Sequence, residues 1–151
     1  MVQTLADELN GIVDETTPEL RMLSDGAASA KQKPEVWSIK EVLGHLIDSA
    51  ANNHQRFVRA QQADSFIWPG YAQEAWVRLQ DHQSRPWLEL VELWIHYNRH
   101  LAHMISRIPD RALNVPCRIG TSDSVPLSFL LQDYLTHLRH HLRQIRERRT
   151  E

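Results

Sequence analysis

Two histidines near the end of the chain have the spacing of a metal-binding pair. His137 and His141 are four residues apart, so on a helix they project from one face, with Gln144 beside them. On a helical wheel of roughly 100° per residue, these groups lie at the edge of the apolar stripe, facing inward yet reachable. A lone pair of this kind is more often surface or core filler. A zinc-like ion takes three or four ligands, so a third must come from elsewhere.

His45 is the candidate for that third ligand. It lies in the middle of another predicted helix, directly after Gly44. A glycine inside a helix costs about 1 kcal/mol relative to alanine and is tolerated best where another element comes close. On the wheel His45 falls just past the edge of its own apolar stripe, which makes it the weakest of the three. The sequence thus predicts a divalent metal on His45, His137 and His141.

The other six histidines are interpreted as non-ligands. His96 and His100 are also four apart, with His103 close by, but they fall roughly opposite the apolar stripe of their helix and should face solvent. The remaining three are interpreted in the same way, and His140 is turned outward although it adjoins His141. These three are His54, His82 and His140.

Few other groups fit a catalytic role. No His-Glu-xx-His, Cys-xx-Cys, Gly-x-Ser-x-Gly or glycine-rich phosphate loop occurs. Cys117 is not favoured as a nucleophile, and Glu41 is better explained as part of a helix cap than as a general base. Asp48 and Asp133 could orient the ligating imidazoles, although solvated helix acids are slightly favoured. Asp48 is the weak candidate for a catalytic group.

Four segments have the periodicity of amphipathic helices. The first is interrupted by Pro18, which predicts a kink or restart near Thr16–Thr17, and Gly26 is a plausible stop. The second opens on a capping box of Ser38 and Glu41. The predicted segments are Val2 to about Asp25, Ser38 to about Gln61, Ser84–Pro86 to Ile108, and Ser124–Pro126 almost to the end.

Two long connections separate these helices. Residues 62–83 carry Trp68, Tyr71 and Trp76, and residues 110–123 have some extended structure predicted around Val115–Ile119. Long ordered loops are often functional lids. The equal alternative is that the aromatic side chains plug the ends of the bundle.

Length and composition bound the class of protein. A chain of 151 residues with 42% hydrophobic residues fits one domain, 1–151, with a sizeable core. The net charge of −2 argues against nucleic-acid binding. The single cysteine, the lack of a signal-like segment and the lack of any membrane-spanning stretch predict a cytoplasmic protein without a membrane partner.

Three stretches carry a resemblance to a known family. Trp37-Ser38-Ile39-Lys40-Glu41-Val42-Leu43-Gly44-His45-Leu46-Ile47-Asp48 resembles the second-helix signature of the DinB/YfiT-like superfamily. Residues 134–145, with the pattern His-xxx-His-xx-Gln-Ile, resemble its last-helix signature. Asn98 with Leu101, then Ile108-Pro109, resembles its third helix. The similarity runs over nearly the whole chain, and the pair of signatures at this separation is fairly specific.

The resemblance implies a fold and a chemistry. The fold would be an all-α four-helix bundle of up-down-down-up topology with long crossovers. The metal, often nickel or zinc, would lie on His45, His137 and His141, and homodimers would be frequent. Members resemble metal-dependent hydrolases, or transferases that activate a low-molecular-weight thiol.

The leading hypothesis is therefore a metal-dependent enzyme that acts on a small molecule, either as a hydrolase or as a thiol S-transferase. The loop with Trp68, Tyr71 and Trp76 would shape its substrate pocket. The second hypothesis is a non-catalytic, metal-stabilised bundle, and the third is a plain dimerising bundle that binds no metal.

Overall fold

Four long helices form the frame of the molecule. The computed structural model describes residues 1–149. In chain order the elements are α1 (Val2–Met22), α2 (Asp25–Ser29), α3 (Ile39–Ala60), β1 (Phe66–Trp68), α4 (Gln73–Gln80), α5 (Trp87–Ser106), β2 (Pro116–Ile119), β3 (Val125–Pro126) and α6 (Leu127–Arg149). The long helices are α1, α3, α5 and α6. No helix among residues 1–149 combines the length and apolar character needed to cross a bilayer.

Contacts between helix ends give the direction of α5 and α6 relative to α1. Trp87, the first residue of α5, donates its indole N–H to the carbonyl oxygen of Leu20 near the end of α1, at 2.8 Å. Those two helices are therefore antiparallel. Arg146, near the end of α6, bonds Glu19, also near the end of α1, at 2.9 Å. Helices α1 and α6 are therefore parallel.

The direction of α3 follows from its contact with the end of α6. The guanidinium of Arg148 at the end of α6 donates to the carbonyl oxygen of Trp37, just ahead of α3. Helix α3 is therefore antiparallel to α6 and parallel to α5. Taking α1 as up, the order is up-down-down-up, so the four-helix bundle and its topology are confirmed.

The hydrophobic face predicted for the third helix is buried as expected. Burial of such apolar surface is the main favourable contribution to folding. Its members, all at most 3% exposed, are Trp87, Val91, Trp94, Leu101, Ile105 and Ile108.

The N-terminal region differs from the prediction in two places. Helix α1 runs through Pro18 to Met22 without the predicted restart. Leu9, Val13 and Leu20 on its inner face are at most 1% exposed, and this packing holds the helix together despite the hydrogen bond that proline removes. Gly26 does not stop α1, because it lies inside α2, whose first turn is capped by Ser24.

The two long connections meet in a small sheet. They are called the first crossover, between α3 and α5, and the second crossover, between α5 and α6. Strand β1 pairs in parallel with β2, with Phe66 opposite Cys117, and β2 pairs antiparallel with β3. The extended structure predicted around Val115–Ile119 is confirmed as β2. Strand β1 and helix α4 were not predicted within residues 62–83. The sheet ties the two connections together across one end of the bundle.

Gly44 lies under a side chain from the first crossover. An added Cβ at Gly44 would lie 2.3 Å from ring atoms of His82, which follows α4 in a short 3₁₀ turn. His82 is only 3% exposed, and its Nε2 lies 3.2 Å from a carboxylate oxygen of Asp48. The close approach expected at Gly44 is confirmed, and it fixes the 3₁₀ turn against α3.

We expect Gly44→Ala to destabilise the protein by about 1–3 kcal/mol or more, since overpacking forces buried groups to move. The matched control is Gly11→Ala, because Gly11 is also inside a helix but has no atom within 4 Å of an added Cβ. That variant should gain about 0.5–1 kcal/mol from helix propensity. Urea denaturation measures both, and equal effects on the free energy of unfolding would contradict the close approach.

Candidate metal centre

His45 is held rigidly in the second turn of α3. The turn before it is fixed by the predicted capping box: the Ser38 hydroxyl accepts from the amide of Glu41, and the Glu41 carboxylate accepts from the amide of Ser38, each at 3.1 Å. The imidazole of His45 is fully buried and packs on the indole of Trp37, with ring centroids 5.1 Å apart. Its Nδ1 is buried without a hydrogen-bond partner among residues 1–149. Packing on Trp37 and the contact of Nε2 with His137 therefore orient this ring.

The three predicted ligands converge between α3 and α6. The Nε2 of His137 lies 3.2 Å from the Nε2 of His45 and 3.1 Å from the Nε2 of His141. One ligand nitrogen from each ring lies within 4.8 Å of the other two. Tetrahedral zinc with Zn–N bonds of about 2.0–2.1 Å separates its nitrogens by about 3.3 Å. Two of the three separations are thus close to what such an ion requires.

Gln144 sets the tautomer of one member of this cluster. The Nδ1–H of His141 donates to the Oε1 of Gln144 at 2.8 Å, which leaves the lone pair of Nε2 pointing at His137. Amide partners of this kind orient ligating histidines and raise their basicity. Gln144, which lies beside His137 and His141 in the sequence pattern, therefore positions the ring of His141.

The three imidazoles are held neutral. Burial, followed by the charges of the other two histidines, lowers the pKa of His45 from 6.5 to about 4. Burial with the same kind of repulsion, from His141 and His140, lowers the pKa of His137 to about 4, and burial also lowers the pKa of His141. Metal binding requires neutral imidazole, so all three are ready donors at pH 7. The donor set fits a borderline divalent ion such as zinc or nickel.

Most of the remaining histidines are placed as expected. Histidines 96, 100, 103 and 140 are exposed, and His54 is half-buried with its Nδ1 2.9 Å from the hydroxyl of Tyr97. The surface interpretation of His82 is wrong, because its ring fills the hollow over Gly44. The helix-interior glycine was the available signal, but the sequence did not show which side chain would fill the hollow.

The two acidic candidates, Asp48 and Asp133, lie in different environments. Asp48 is 2% exposed and bonds Gln80 at 2.8 Å and His82 at 3.2 Å, so the solvated interpretation of this residue is wrong. It makes no hydrogen bond to any of the three converging histidines, and its carboxylate is occupied elsewhere. Asp133 is exposed, as expected of a helix acid. Burial raises the pKa of the Cys117 thiol, in keeping with an unreactive side chain.

A cavity of about 250 Å³ adjoins the cluster between α3, α6 and the first crossover. Its wall includes Arg56, Tyr71, Asp133 and His137. Burial raises the pKa of Tyr71 to about 12, so its hydroxyl remains a donor. Of the three aromatic residues expected to shape a pocket, only Tyr71 lines this cavity.

The other two aromatic residues lie elsewhere in the first crossover. Trp68 packs under the guanidinium of Arg59 at 4.6 Å, and Trp76 is 37% exposed beside the ring of Tyr71.

Comparison with known proteins identifies the family. The model of the DinB superfamily matches residues 8–145. The chain belongs to the DinB superfamily. It is 25% identical over 148 residues to a Bacillus cereus (strain B4264) protein named "Putative metal-dependent hydrolase", covering 96% of this chain and 83% of the relative. A Bacillus anthracis (strain CDC 684 / NRRL 3495) protein of the same name is 23% identical over 153 residues, with the same coverage.

A solved DinB-like structure shares the fold. It is YfiT from Bacillus subtilis, described as a probable metal-dependent hydrolase with an unusual four-helix bundle topology. The TM-score is 0.81 at 20% identity, and the match covers 95% of this chain and 85% of YfiT. This DinB-superfamily chain thus shares the bundle of YfiT, and its own three-histidine cluster indicates a divalent metal.

The depressed pKa values make the metal-free protein sensitive to acid. In the unfolded chain a histidine has a pKa of about 6.5, whereas in the folded protein His45 and His137 have values of about 4. Between those values the unfolded chain binds more protons, so stability is complete above pH 6.5 and is lost as the pH falls toward 4. We expect His137→Gln to lose less stability than the parent between pH 7 and 5.

The control for this prediction is His96→Gln, because His96 is exposed. It should keep the pH slope of the parent in denaturation of chelator-treated protein. Identical slopes for the parent and His137→Gln would contradict the buried neutral cluster.

Proposed function

We propose that the protein is a metal-dependent hydrolase of a small molecule, with a divalent cation held by His45, His137 and His141. The observation that carries this proposal is the convergence of three neutral imidazoles beside a cavity. The names of the Bacillus relatives support it. Nickel and zinc are the metals we favour, because imidazole ligands suit both.

Three protein ligands leave coordination positions open, which is typical of catalytic sites. When bound, a divalent cation acts as a Lewis acid and lowers the pKa of coordinated water toward about 7. The wall of the cavity also holds Asp133, one helical turn before His137 on α6. We assign to its carboxylate the role of accepting a proton. The ring of Trp37 packs against the ring of His45.

Transfer of a low-molecular-weight thiol is the second candidate. A separate cavity of about 340 Å³ is lined by Trp37 and Gln144, which contact His45 and His141. One cavity lined by His137 and a second lined by neighbours of His45 and His141 favour two substrates, as a transferase needs. A metal-stabilised, non-catalytic bundle remains the alternative, and assembly into a homodimer remains a prediction.

The test uses the full chain loaded with zinc or nickel and a panel of small esters and amides. We expect hydrolysis that stops with chelator and with His137→Ala, which should also lose the metal. Asp133→Asn should keep the metal but lower kcat by roughly 100-fold, the typical contribution of a general base. The control Asp123→Asn, at an exposed position in the second crossover, should match the parent.

Other outcomes separate the candidates. Conjugation of a thiol to an electrophile without hydrolysis would favour the transferase. A metal-loaded protein inactive in both assays would favour the non-catalytic bundle. Metal content unchanged in His137→Ala would overturn the proposed site itself.

A further inference from the structure

Arg56 is set apart from the other half-buried arginines by its lack of partners. Its side chain is half-buried, and the Nε atom is inaccessible without a hydrogen-bond acceptor. Within residues 1–149 it makes no hydrogen bond or salt bridge. The other half-buried arginines of this part of the chain each bond an acceptor: Arg85, Arg99, Arg146 and Arg148.

A buried guanidinium N–H without an acceptor is costly. Buried polar groups are normally hydrogen-bonded, and exceptions often have a functional explanation. Burial lowers the pKa of Arg56, while Tyr71 and the charge of Asp133 oppose that shift, and Asp133 forms no salt bridge with it. Asp133 is exposed, so its carboxylate is free to remain hydrated. The donors of Arg56 are therefore available to a ligand.

Arg56 shares a cavity with one of the converging histidines. Arg56 lies on α3 and His137 on α6, and both line the space of about 250 Å³. Tyr71 lines the same space, and its raised pKa keeps its hydroxyl a donor. A guanidinium binds planar oxyanions through two parallel N–H donors, and this geometry suits a carboxylate. The volume is just below the roughly 300–1,000 Å³ of pockets for drug-sized ligands, so the ligand should be small.

We propose that Arg56 binds a carboxylate group of the substrate, so that the substrates of this site are small molecules that carry a free carboxylate. The anchored carboxylate would place the rest of the molecule along the cavity toward His137. This inference rests on the proposed function for the reaction, but binding of a carboxylate at Arg56 does not itself require the metal. Arg56 is thus a substrate-binding residue that determines specificity.

The experiment uses the full chain treated with chelator, and butyrate as the probe. Its neutral isostere butyramide is titrated in parallel, and the Nε–H resonances of the arginines are followed by NMR. We expect butyrate to shift the Arg56 resonance and to bind at least about 10-fold more tightly than butyramide, because hydrogen bonds to charged groups are the stronger ones. Arg56→Gln should weaken butyrate binding by a similar factor and leave butyramide unaffected.

Two further variants make the result specific. Arg56→Lys keeps the charge but loses the paired donors, so it should bind butyrate with intermediate affinity. Arg59→Gln is the control, because Arg59 is one turn away on the same helix but stacks on Trp68 outside this cavity. Circular dichroism confirms that each variant folds.

Equal butyrate affinity in the parent and Arg56→Gln would overturn the proposal, as would the absence of a shift at Arg56. Metal content is measured on separate samples of the same preparations. If the protein binds butyrate but no metal, only the proposed function is contradicted. A loaded metal site without butyrate binding would contradict only the role of Arg56.

Discussion

Three imidazole nitrogens facing one another in a buried space form the constraint on which the rest of the site depends. With Nδ1 of His141 donating to Gln144, its Nε2 is an acceptor, and the Nε2 of His137 lies within 3.2 Å of both neighbours. Three such nitrogens cannot all be satisfied by one another, and a cation shared among them would satisfy all three. Burial disfavours a proton in that position, as the lowered pKa values show. A divalent metal is the remaining cation of suitable size and ligand preference.

The surrounding structure holds this cluster in place. The capping box and Trp37 fix the turn of α3 that carries His45. Gly44, one residue before it, leaves room for the ring of His82. The ring of His82 also contacts the carboxylate of Asp48, one turn further along α3. These contacts fasten the first crossover to the helix that carries His45. The same crossover contributes Tyr71 to the cavity beside His137, so the position of the three histidines and the shape of the cavity are coupled.

The sequence was sufficient where a local rule decides the outcome. The capping box at Ser38, the spacing of His137 and His141, and the apolar stripe of α5 each follow from geometry within one helix, and the structure has all three. The family resemblance supplied the topology and strengthened His45, whose position on the wheel alone was weak. The glycine at position 44 correctly indicated a close neighbour.

The sequence-based predictions are wrong or missing where segments distant in sequence contact each other. His82 and Asp48 were interpreted as surface groups because nothing within their own segments shows that they pair, 34 residues apart. Strand β1 was not predicted because its three residues gain their hydrogen bonds only from β2, about fifty residues later. Arg56 carried no signal at all, since an arginine in a helix is ordinary until the structure shows that it lacks a partner.

The most direct measurement is an anomalous-scattering map from crystals of the protein grown with zinc or nickel. The expected result is one strong peak at about 2.0–2.1 Å from a ring nitrogen of each of His45, His137 and His141. A peak bound to two of them with His45 turned away, or a peak at other residues only, would contradict the three-histidine centre.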